Sequence, residues 1–213
     1  MKTEKLSFTE SGTLTIKKVE TKKDLNDFIQ FPKKLYAKCP YYVPDLDRDI
    51  RNMFNPKKNA GLDFSEIQAF LAYDKQGKVM GRIVGIINHH ANEKWETKNL
   101  RFGYFDFIDD IAVSKHLLNA VSQWGKEKGM VTIQGPMGIT DFDKEGMLIE
   151  DFDQMGSMNT LYNYPYYPKH MEVLGYEKEV DWVQIRINIP QETPAKYARV
   201  AKLSTKMFNL KVT

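Results

Sequence analysis

Residues Leu100–Pro136 read LRFGYFDFIDDIAVSKHLLNAVSQWGKEKGMVTIQGP, and this stretch decides the fold. Its aromatic-rich first part predicts a strand over Leu100–Ile108. Apolar residues then recur at helical spacing, which predicts a helix over Asp110–Lys128 before a second strand at Met130–Gln134. A strand–helix–strand unit of this length is typical of a right-handed crossover between two parallel strands.

The start of this helix is the first place to look for an anionic cofactor. Asp109 or Asp110 can cap the helix, and Gly129 can end it in a left-handed turn. Unpaired amides and the positive end of the helix dipole meet at the turn that follows Ile108. We therefore expect any such cofactor to bind there.

The rest of the chain adds a hairpin, further strands and further helices to this unit. In chain order the patterns predict a strand at Gly12–Glu20, a helix from Thr21 or Asp24 to about Lys38, a short helix at Asp45–Phe54, a hairpin of Glu66–Tyr73 and Lys78–His89, a short helix within Pro165–Leu174, a strand at Tyr176–Ile189 and a helix at Pro194–Phe208. Residues Asn209–Thr213 look like the beginning of another strand, so we expect the chain to be part of a longer protein.

The composition is that of a globular protein with a substantial core, because 42% of the 213 residues are hydrophobic and 12% are aromatic. The single cysteine, Cys39, excludes an internal disulfide and fits a reducing compartment. The charged start Met1–Lys5 lacks the apolar region of a signal peptide, and the longest apolar-rich run, Val79–Asn88, is too short to span a membrane. Basic residues do not cluster with aromatic ones on one element. We therefore expect a cytoplasmic protein that binds neither membrane nor nucleic acid.

Acidic residues concentrate in one region, although the net charge is +3. Residues 139–181 contain 3 Lys/Arg and 10 Asp/Glu. Two interpretations stay open, a solvated surface and an acidic patch that attracts a cationic amine substrate.

No motif predicts a metal site. His89 and His90 are adjacent on a predicted strand and would point to opposite faces, which makes a poor chelate. Asp141–Gly146 resembles the first half of a calcium loop, but the twelfth position holds Phe152 instead of a glutamate.

The order of the predicted elements is similar to that of the GNAT superfamily of N-acyltransferases. Five segments resemble a bacterial branch whose members often carry a further domain: Phe31–Tyr36 (FPKKLY), Tyr42–Pro44 (YVP), Asn55–Asn59 (NPKKN), Gly135–Met137 (GPM) and Tyr164–Tyr167 (YPYY). The resemblance covers about residues 12–190 and implies an α/β fold with a mixed, mostly antiparallel twisted sheet. We expect a GNAT-like domain over residues 1–190, and a helix and strand start over residues 191–213 that could open a further C-terminal domain.

The resemblance also implies an acyl-CoA, such as acetyl-CoA, bound where the two parallel strands separate. The pantetheine arm would pair with the main chain at the end of the first strand, and the diphosphate would lie at the start of the helix. The residues expected to bind this cofactor are Phe105, Phe107, Ile108, Asp110, Ile111 and Lys115.

The sequence departs from the superfamily at both functional positions. The turn into the helix has no glycine, and the carboxylates of Asp109 and Asp110 would occupy the helix amides and repel a diphosphate. The tyrosine that acts as general acid in the superfamily falls on Met171, which cannot donate a proton. A neighbouring residue could replace it, and the candidates are Tyr166, Tyr167 and His170. Close packing over the sheet is the other interpretation of these tyrosines.

Two functions therefore stay open. The first is acyl transfer from acyl-CoA to a small-molecule amine, with a degenerate phosphate-binding turn. The second is a catalytically inactive GNAT-fold module that binds a ligand or another domain.

Overall fold

The computed structural model describes residues 14–158, 160–185 and 187–209. Within these ranges the strands are β1 (Thr15–Lys18), β2 (Ser65–Tyr73), β3 (Val79–Asn88), β4 (Asn99–Phe107) and β5 (Thr132–Gln134). The α-helices there are α1 (Lys22–Leu35), α2 (Asp47–Met53), α3 (His89–Lys94), α4 (Ile111–Glu127), α5 (Tyr166–Val173) and α6 (Ala195–Phe208), and a 3₁₀ turn spans Ala60–Asp63. The chain divides into two compact units between Glu177 and Lys178.

The first unit is built on one sheet with the strand order β1-β2-β3-β4-β5. Neighbouring strands are antiparallel except β4 and β5, which are parallel and connected by α4. The predicted α/β class, the mostly antiparallel sheet and the central strand–helix–strand unit are therefore confirmed. In the described ranges no helix is long and apolar enough to cross a membrane, and no group of three or more His, Cys, Asp or Glu could hold a metal ion.

Both faces of the sheet are covered, because buried apolar side chains of β2 and β3 pack into two separate cores. Ile83 belongs to the core on the α4 face, whereas Val84 belongs to the core on the α1 and α2 face. The helix α4 approaches β3 closely, since a Cβ atom on Gly85 would lie 2.9 Å from the Trp124 ring. β4 therefore has contacts with both α4 and α1.

Local signals set the start of α1 and both ends of α4 as predicted, whereas α1 ends at Leu35 rather than near Lys38. Thr21 caps α1 and forms a capping box with Asp24. Asp110 caps α4, and Gly129 follows that helix with a φ of 81°, a left-handed value that glycine adopts without strain. The sequence therefore defines where the crossover helix begins and ends.

The second unit differs from the prediction in one element. The strand predicted at Tyr176–Ile189 is wrong, because residues 178–185 and 187–189 adopt no regular secondary structure. A strand forms only beside a neighbour that completes its hydrogen bonds, and alternation in sequence does not supply one. The predicted helix at the end of the chain is confirmed as α6, and Asn209 ends it with a φ of 47°. The strand start predicted after Asn209 lies outside the described residues.

Candidate functional site

The two parallel strands pair over only three residues each. β4 continues to Phe107, but its ladder with β5 joins only Asn99–Arg101 to Thr132–Gln134. The chain then continues through the cis peptide bond Gly135–Pro136. The edge of β4 beyond Arg101 is therefore not paired with β5, and it leads directly to the start of α4.

A β-bulge in β4 lies beside this separation. Arg82 on β3 stands opposite Asp106, whereas Val84 stands opposite Gly103, so two residues of β4 face one residue of β3. Tyr104 in the bulge has a φ of 48°, which non-glycine residues rarely adopt. Because a bulge bends and twists its strand, it favours the separation of β4 from β5.

The loop after β5 fills the first part of the free edge. The Met137 main-chain N–H donates to the Phe102 carbonyl oxygen over 2.7 Å. Gly103 lies against the same loop, and a Cβ atom there would collide with the Met137 carbonyl oxygen. The loop backbone thus closes this part of the edge to a ligand.

Two tyrosines of α5 hold both main-chain groups of Phe107. The Phe107 N–H donates to Tyr167 Oη over 3.1 Å, and Tyr166 Oη donates to the Phe107 carbonyl oxygen over 2.5 Å. The Phe107 ring also packs against the rings of Tyr167 and Tyr166, with centroids 4.2 and 5.7 Å apart. At the end of β4, side-chain hydroxyls therefore take the place of a neighbouring strand.

A buried chain of polar groups connects Tyr167 to α1. Tyr167 Oη lies 2.7 Å from Tyr36 Oη, which donates to Asp106 Oδ1 over 3.1 Å. Arg82 Nε donates to Asp106 Oδ2 over 2.7 Å, and Arg82 Nη1 donates to the Phe28 carbonyl oxygen over 3.1 Å. The side chains of Arg82 and Asp106 are 4% and 13% exposed. A charge pair with almost no access to water thus ties α1, β3, β4 and α5 together.

Burial controls the protonation of the three phenols near Phe107. Burial, followed by the Asp106 carboxylate, raises the pKa of Tyr36 and Tyr167 well above its usual value. Burial, followed by the carboxylates of Asp109 and Asp106, raises the pKa of Tyr166. All three phenols therefore keep their protons at neutral pH and can donate hydrogen bonds.

His170 connects α5 to the start of α4. Its Nε2 atom lies 3.0 Å from Asp109 Oδ1, and its Nδ1 atom lies 2.9 Å from Ser114 Oγ. Ser114 is fully buried and also donates to the Ile111 carbonyl oxygen over 3.1 Å. These are the residue types of a hydrolytic triad, but a buried hydroxyl cannot attack a substrate. The arrangement therefore joins two helices and positions His170.

Asp110 occupies the start of α4. Its Oδ1 atom accepts a hydrogen bond from the Ala112 N–H over 2.8 Å, and its carbonyl oxygen accepts one from the Val113 N–H over 3.0 Å. Asp109 is directed toward His170 instead, so only one of the two aspartates holds a helix amide. Both carboxylates nevertheless place negative charge beside the helix start.

The segment Ile139–Asp153, the first part of the acidic region 139–181, is anchored through its main chain. Arg101 and Asn88 both donate to the Ile139 carbonyl oxygen, over 3.1 and 2.8 Å. Burial, followed by neighbouring carboxylates, raises the pKa of Glu145. The Phe142 side chain is 100% exposed. The segment thus presents negative charge and apolar surface together.

The strand order, the crossover through α4 and the separation of β4 from β5 are those implied by the sequence resemblance. The chain has a GNAT-type fold. No protein-family model matches it. Among solved structures, the aminoglycoside antibiotic 6'-N-acetyltransferase AAC(6')-Ih from Acinetobacter baumannii is similar, with a TM-score of 0.47 and 12% identity over 84% of this chain and 100% of that chain.

Two curated bacterial proteins are similar in sequence. Protein YghO from Escherichia coli strain K12 is 36% identical over 167 residues, which are 76% of this chain and 42% of YghO. A bacterial ceramide synthase from Caulobacter vibrioides is 29% identical over 172 residues, which are 80% of this chain and 44% of that protein. The GNAT-type chain thus spans less than half the length of either relative.

The end of β4 fits an acyl-CoA, the cofactor that the sequence resemblance implies, only in part. Phe107 offers an N–H and a carbonyl to a pantetheine arm, provided that the hydroxyls of Tyr166 and Tyr167 give way. The diphosphate does not fit the start of α4, because Asp110 holds the Ala112 amide. The Asp110 carboxylate would also repel a phosphate by about 1 kcal/mol per charge pair at 4 Å in water.

The structure brings most of the predicted site residues together. Those that meet at the end of β4 are Phe105, Phe107, Ile108, Asp110, Tyr166, Tyr167 and His170. Ile111 and Lys115 are exposed on α4, and Met171 packs against the core. The cofactor-binding and catalytic roles of these residues stay predictions.

Sequence reasoning missed three polar residues that organise the site. Arg82 stands in a strand of apolar residues, and a charge in such a strand indicates a buried partner. Ser114 occupies the apolar face of α4, which is a weaker signal of the same kind. Asp106 gave no signal, because its partner Arg82 lies 24 positions away on the next strand.

Proposed function

We propose that this chain serves the transfer of an acyl group from an acyl-CoA to an amine. The observation that carries this proposal is the free end of β4, where side-chain hydroxyls alone hold the main-chain groups of Phe107. An extended ligand with amide groups can exchange with two hydroxyls and pair with a strand edge without breaking the sheet. The GNAT-type fold supports the same reaction by analogy.

We propose a long-chain amine as the acceptor. One relative is named as a ceramide synthase, and a ceramide is the N-acyl derivative of a long-chain amino alcohol. Such an amine is cationic at neutral pH and carries an apolar chain. The acidic segment Ile139–Asp153, with the exposed ring of Phe142, is suited to both properties.

Tyr166 is the residue that we propose as general acid. Its hydroxyl is half-buried and lies at the end of β4, where it donates to the Phe107 carbonyl oxygen that an extended ligand would take over. Tyr167 is less suitable because its hydroxyl is buried between Tyr36 and the Phe107 N–H. His170 is directed to Asp109 and Ser114 and is proposed to position α5.

Other observations favour a second function, a catalytically inactive module that binds a ligand or another domain. Asp110 holds a helix amide that a diphosphate would need. Met171 stands at the position of the superfamily tyrosine, and the main chain of Phe107 already has partners. In this alternative, the closed arrangement of α5 on β4 is permanent.

Thermal unfolding with and without millimolar acetyl-CoA separates the two functions. A ligand at 100 times its Kd stabilises by about 2.7 kcal/mol, which corresponds to about 5–11 °C in Tm for a chain of this size. We expect a smaller shift for the wild type and a larger one for Asp110→Gly, which frees the Ala112 amide and removes a charge. If neither protein shifts, the acyltransferase proposal is refuted and the inactive module stands.

Asp110→Asn separates the charge of Asp110 from its hydrogen bond. Asparagine caps a helix about as well as aspartate, so this variant keeps the Ala112 amide occupied while the charge is lost. A gain in acetyl-CoA binding by Asp110→Asn identifies charge as the obstacle, whereas a gain by Asp110→Gly alone identifies the occupied amide. Asp49→Asn is the matched control, because it removes an exposed carboxylate from the first turn of α2.

A further inference from the structure

The helix α5 covers the strand edge that an extended ligand would have to reach. Tyr166 holds the Phe107 carbonyl oxygen, and Tyr167 receives the Phe107 N–H over 3.1 Å. The rings of both tyrosines also lie against the Phe107 ring. A ligand amide needs these same main-chain groups, because it pairs with a strand edge through N–H and C=O. The helix and such a ligand therefore compete for one place.

Few residues fix α5 in this position. Of its eight residues, only Tyr167 and His170 are buried. A helix of two turns is not stable by itself in water, so the place of α5 depends on its contacts with the rest of the protein. These contacts are made at two points, at Phe107 by the tyrosines and at the start of α4 by His170.

The contact of His170 with Asp109 is the more accessible of the two points. His170 Nε2 lies 3.0 Å from Asp109 Oδ1. The His170 side chain is only 10% exposed, whereas the Asp109 side chain is 67% exposed. Asp109 can therefore turn into solvent and release His170 without a rearrangement of the core.

We propose that α5 is an autoinhibitory lid on the end of β4 and that the pair of His170 and Asp109 is its latch. This inference rests on the proposed function and adds the regulation of the same site. In the closed state, the phenols of Tyr166 and Tyr167 take the place of the ligand amides at Phe107. In the open state, both main-chain groups of Phe107 are available, and Tyr166 is released beside the bound ligand.

Binding of D-pantetheine to the 213-residue chain, measured by isothermal titration calorimetry, tests the lid. This probe contains two amides and no charge, so the carboxylates at the start of α4 do not repel it. A lid that is mostly closed weakens the apparent affinity in proportion to the closed population. We expect Asp109→Ala to bind D-pantetheine about 10-fold more tightly than the wild type, because losing a hydrogen bond to a charged group shifts an equilibrium by about that factor.

Two measurements on the same variant separate the latch from a general loss of structure. Without ligand, the amides of residues 170–173 should exchange about 10-fold faster in Asp109→Ala, because the undocked helix frays. The circular dichroism spectrum should stay that of the wild type. Asp109→Asn, which removes only the charge, is the milder variant if the alanine variant is unfolded, and we expect it to give a smaller gain in affinity.

Glu66→Ala is the matched control, because it takes a carboxylate from another histidine. His89 Nε2 lies 3.1 Å from Glu66 Oε1, and this pair lies at the opposite end of the sheet, since Glu66 faces Ile87 on β3 whereas Phe107 faces Gly81. Neither the affinity for D-pantetheine nor the exchange of the α5 amides should change in this variant.

Tyr166→Phe tests the competition at Phe107 directly. Phenylalanine keeps the ring that packs on Phe107 and removes only the hydroxyl, so this variant should also bind D-pantetheine more tightly than the wild type. Equal affinities of the wild type, Tyr166→Phe and Asp109→Ala would overturn the lid and leave the acyl-transfer proposal standing. Weaker binding by Tyr166→Phe would overturn it as well, because the phenol would then hold the ligand. If none of the proteins binds D-pantetheine, the ligand site at Phe107 is refuted together with the lid.

Discussion

Replacing Asp106 with asparagine tests whether the buried charge pair stabilises the end of β4. Asparagine keeps the size of the side chain and an oxygen for Tyr36, but it removes the negative charge that Arg82 Nε meets at 2.7 Å. Since Arg82 is only 4% exposed, its charge would remain buried without a counter-charge. Breaking a buried pair in this way costs about 3–5 kcal/mol. We expect the free energy of unfolding of Asp106→Asn to fall by that amount.

Urea unfolding followed by far-UV circular dichroism measures this loss, and a thermal scan should show a Tm lower by about 6–20 °C. Tyr36→Phe is the matched control, because it removes one hydroxyl of the same network and should cost only about 1 kcal/mol. The double variant Arg82→Met/Asp106→Leu should recover most of the loss, since an apolar pair can replace a buried ion pair. A loss below about 1 kcal/mol for Asp106→Asn would refute the reasoning.

Three more predictions concern single positions in the first unit. Burial alone would raise the pKa of Asp24, but its hydrogen bonds lower this pKa to about 2. The Asp24 carboxylate should therefore add about 2 kcal/mol to the free energy of unfolding above pH 4, and this contribution should be lost as pH falls toward 2. In urea unfolding, the difference in stability between wild type and Asp24→Asn should close at pH 2, and a difference that stays constant with pH would contradict this. Gly103→Ala should cost about 1–3 kcal/mol through its collision with the Met137 carbonyl, and unchanged thermal unfolding would show that the loop can move. Ser114→Ala should lower the free energy of unfolding in urea by about 1–2 kcal/mol, because it leaves His170 Nδ1 without its hydrogen-bond partner. An unchanged free energy of unfolding would show that another group takes the place of Ser114.

The fold around α4 was predictable because each element carries its own local signal. Asp110 and Gly129 mark the two ends of the helix, and the turn before Lys78 marks the hairpin of β2 and β3. The strand predicted at Tyr176–Ile189 failed for a physical reason. Alternation reports that a segment needs a neighbouring strand, whereas only the rest of the structure can provide one.

The sequence predicts residues of the candidate site but not how they contact one another. The structure brings the strand end near Phe107 together with Tyr166 and Tyr167, and their roles stay predictions. Which hydroxyl meets which main-chain group depends on how α5 docks, and no sequence pattern reports that. Arg82 stands opposite Asp106 because of the bulge at Tyr104, which shifts the register between β3 and β4. No sequence pattern indicates this shift.

The hydroxyl that receives the Phe107 N–H makes this amide a natural reporter of how α5 behaves. An amide that is bonded to a neighbouring strand loses its hydrogen bond when that strand separates. The Phe107 amide instead loses its hydrogen bond when the Tyr167 side chain alone moves. Nuclear magnetic resonance could therefore follow this single proton to time the lifting of α5 while the rest of the sheet stays intact. A molecule that displaces the phenol would change the lifetime of that one signal before it changed the melting of the protein.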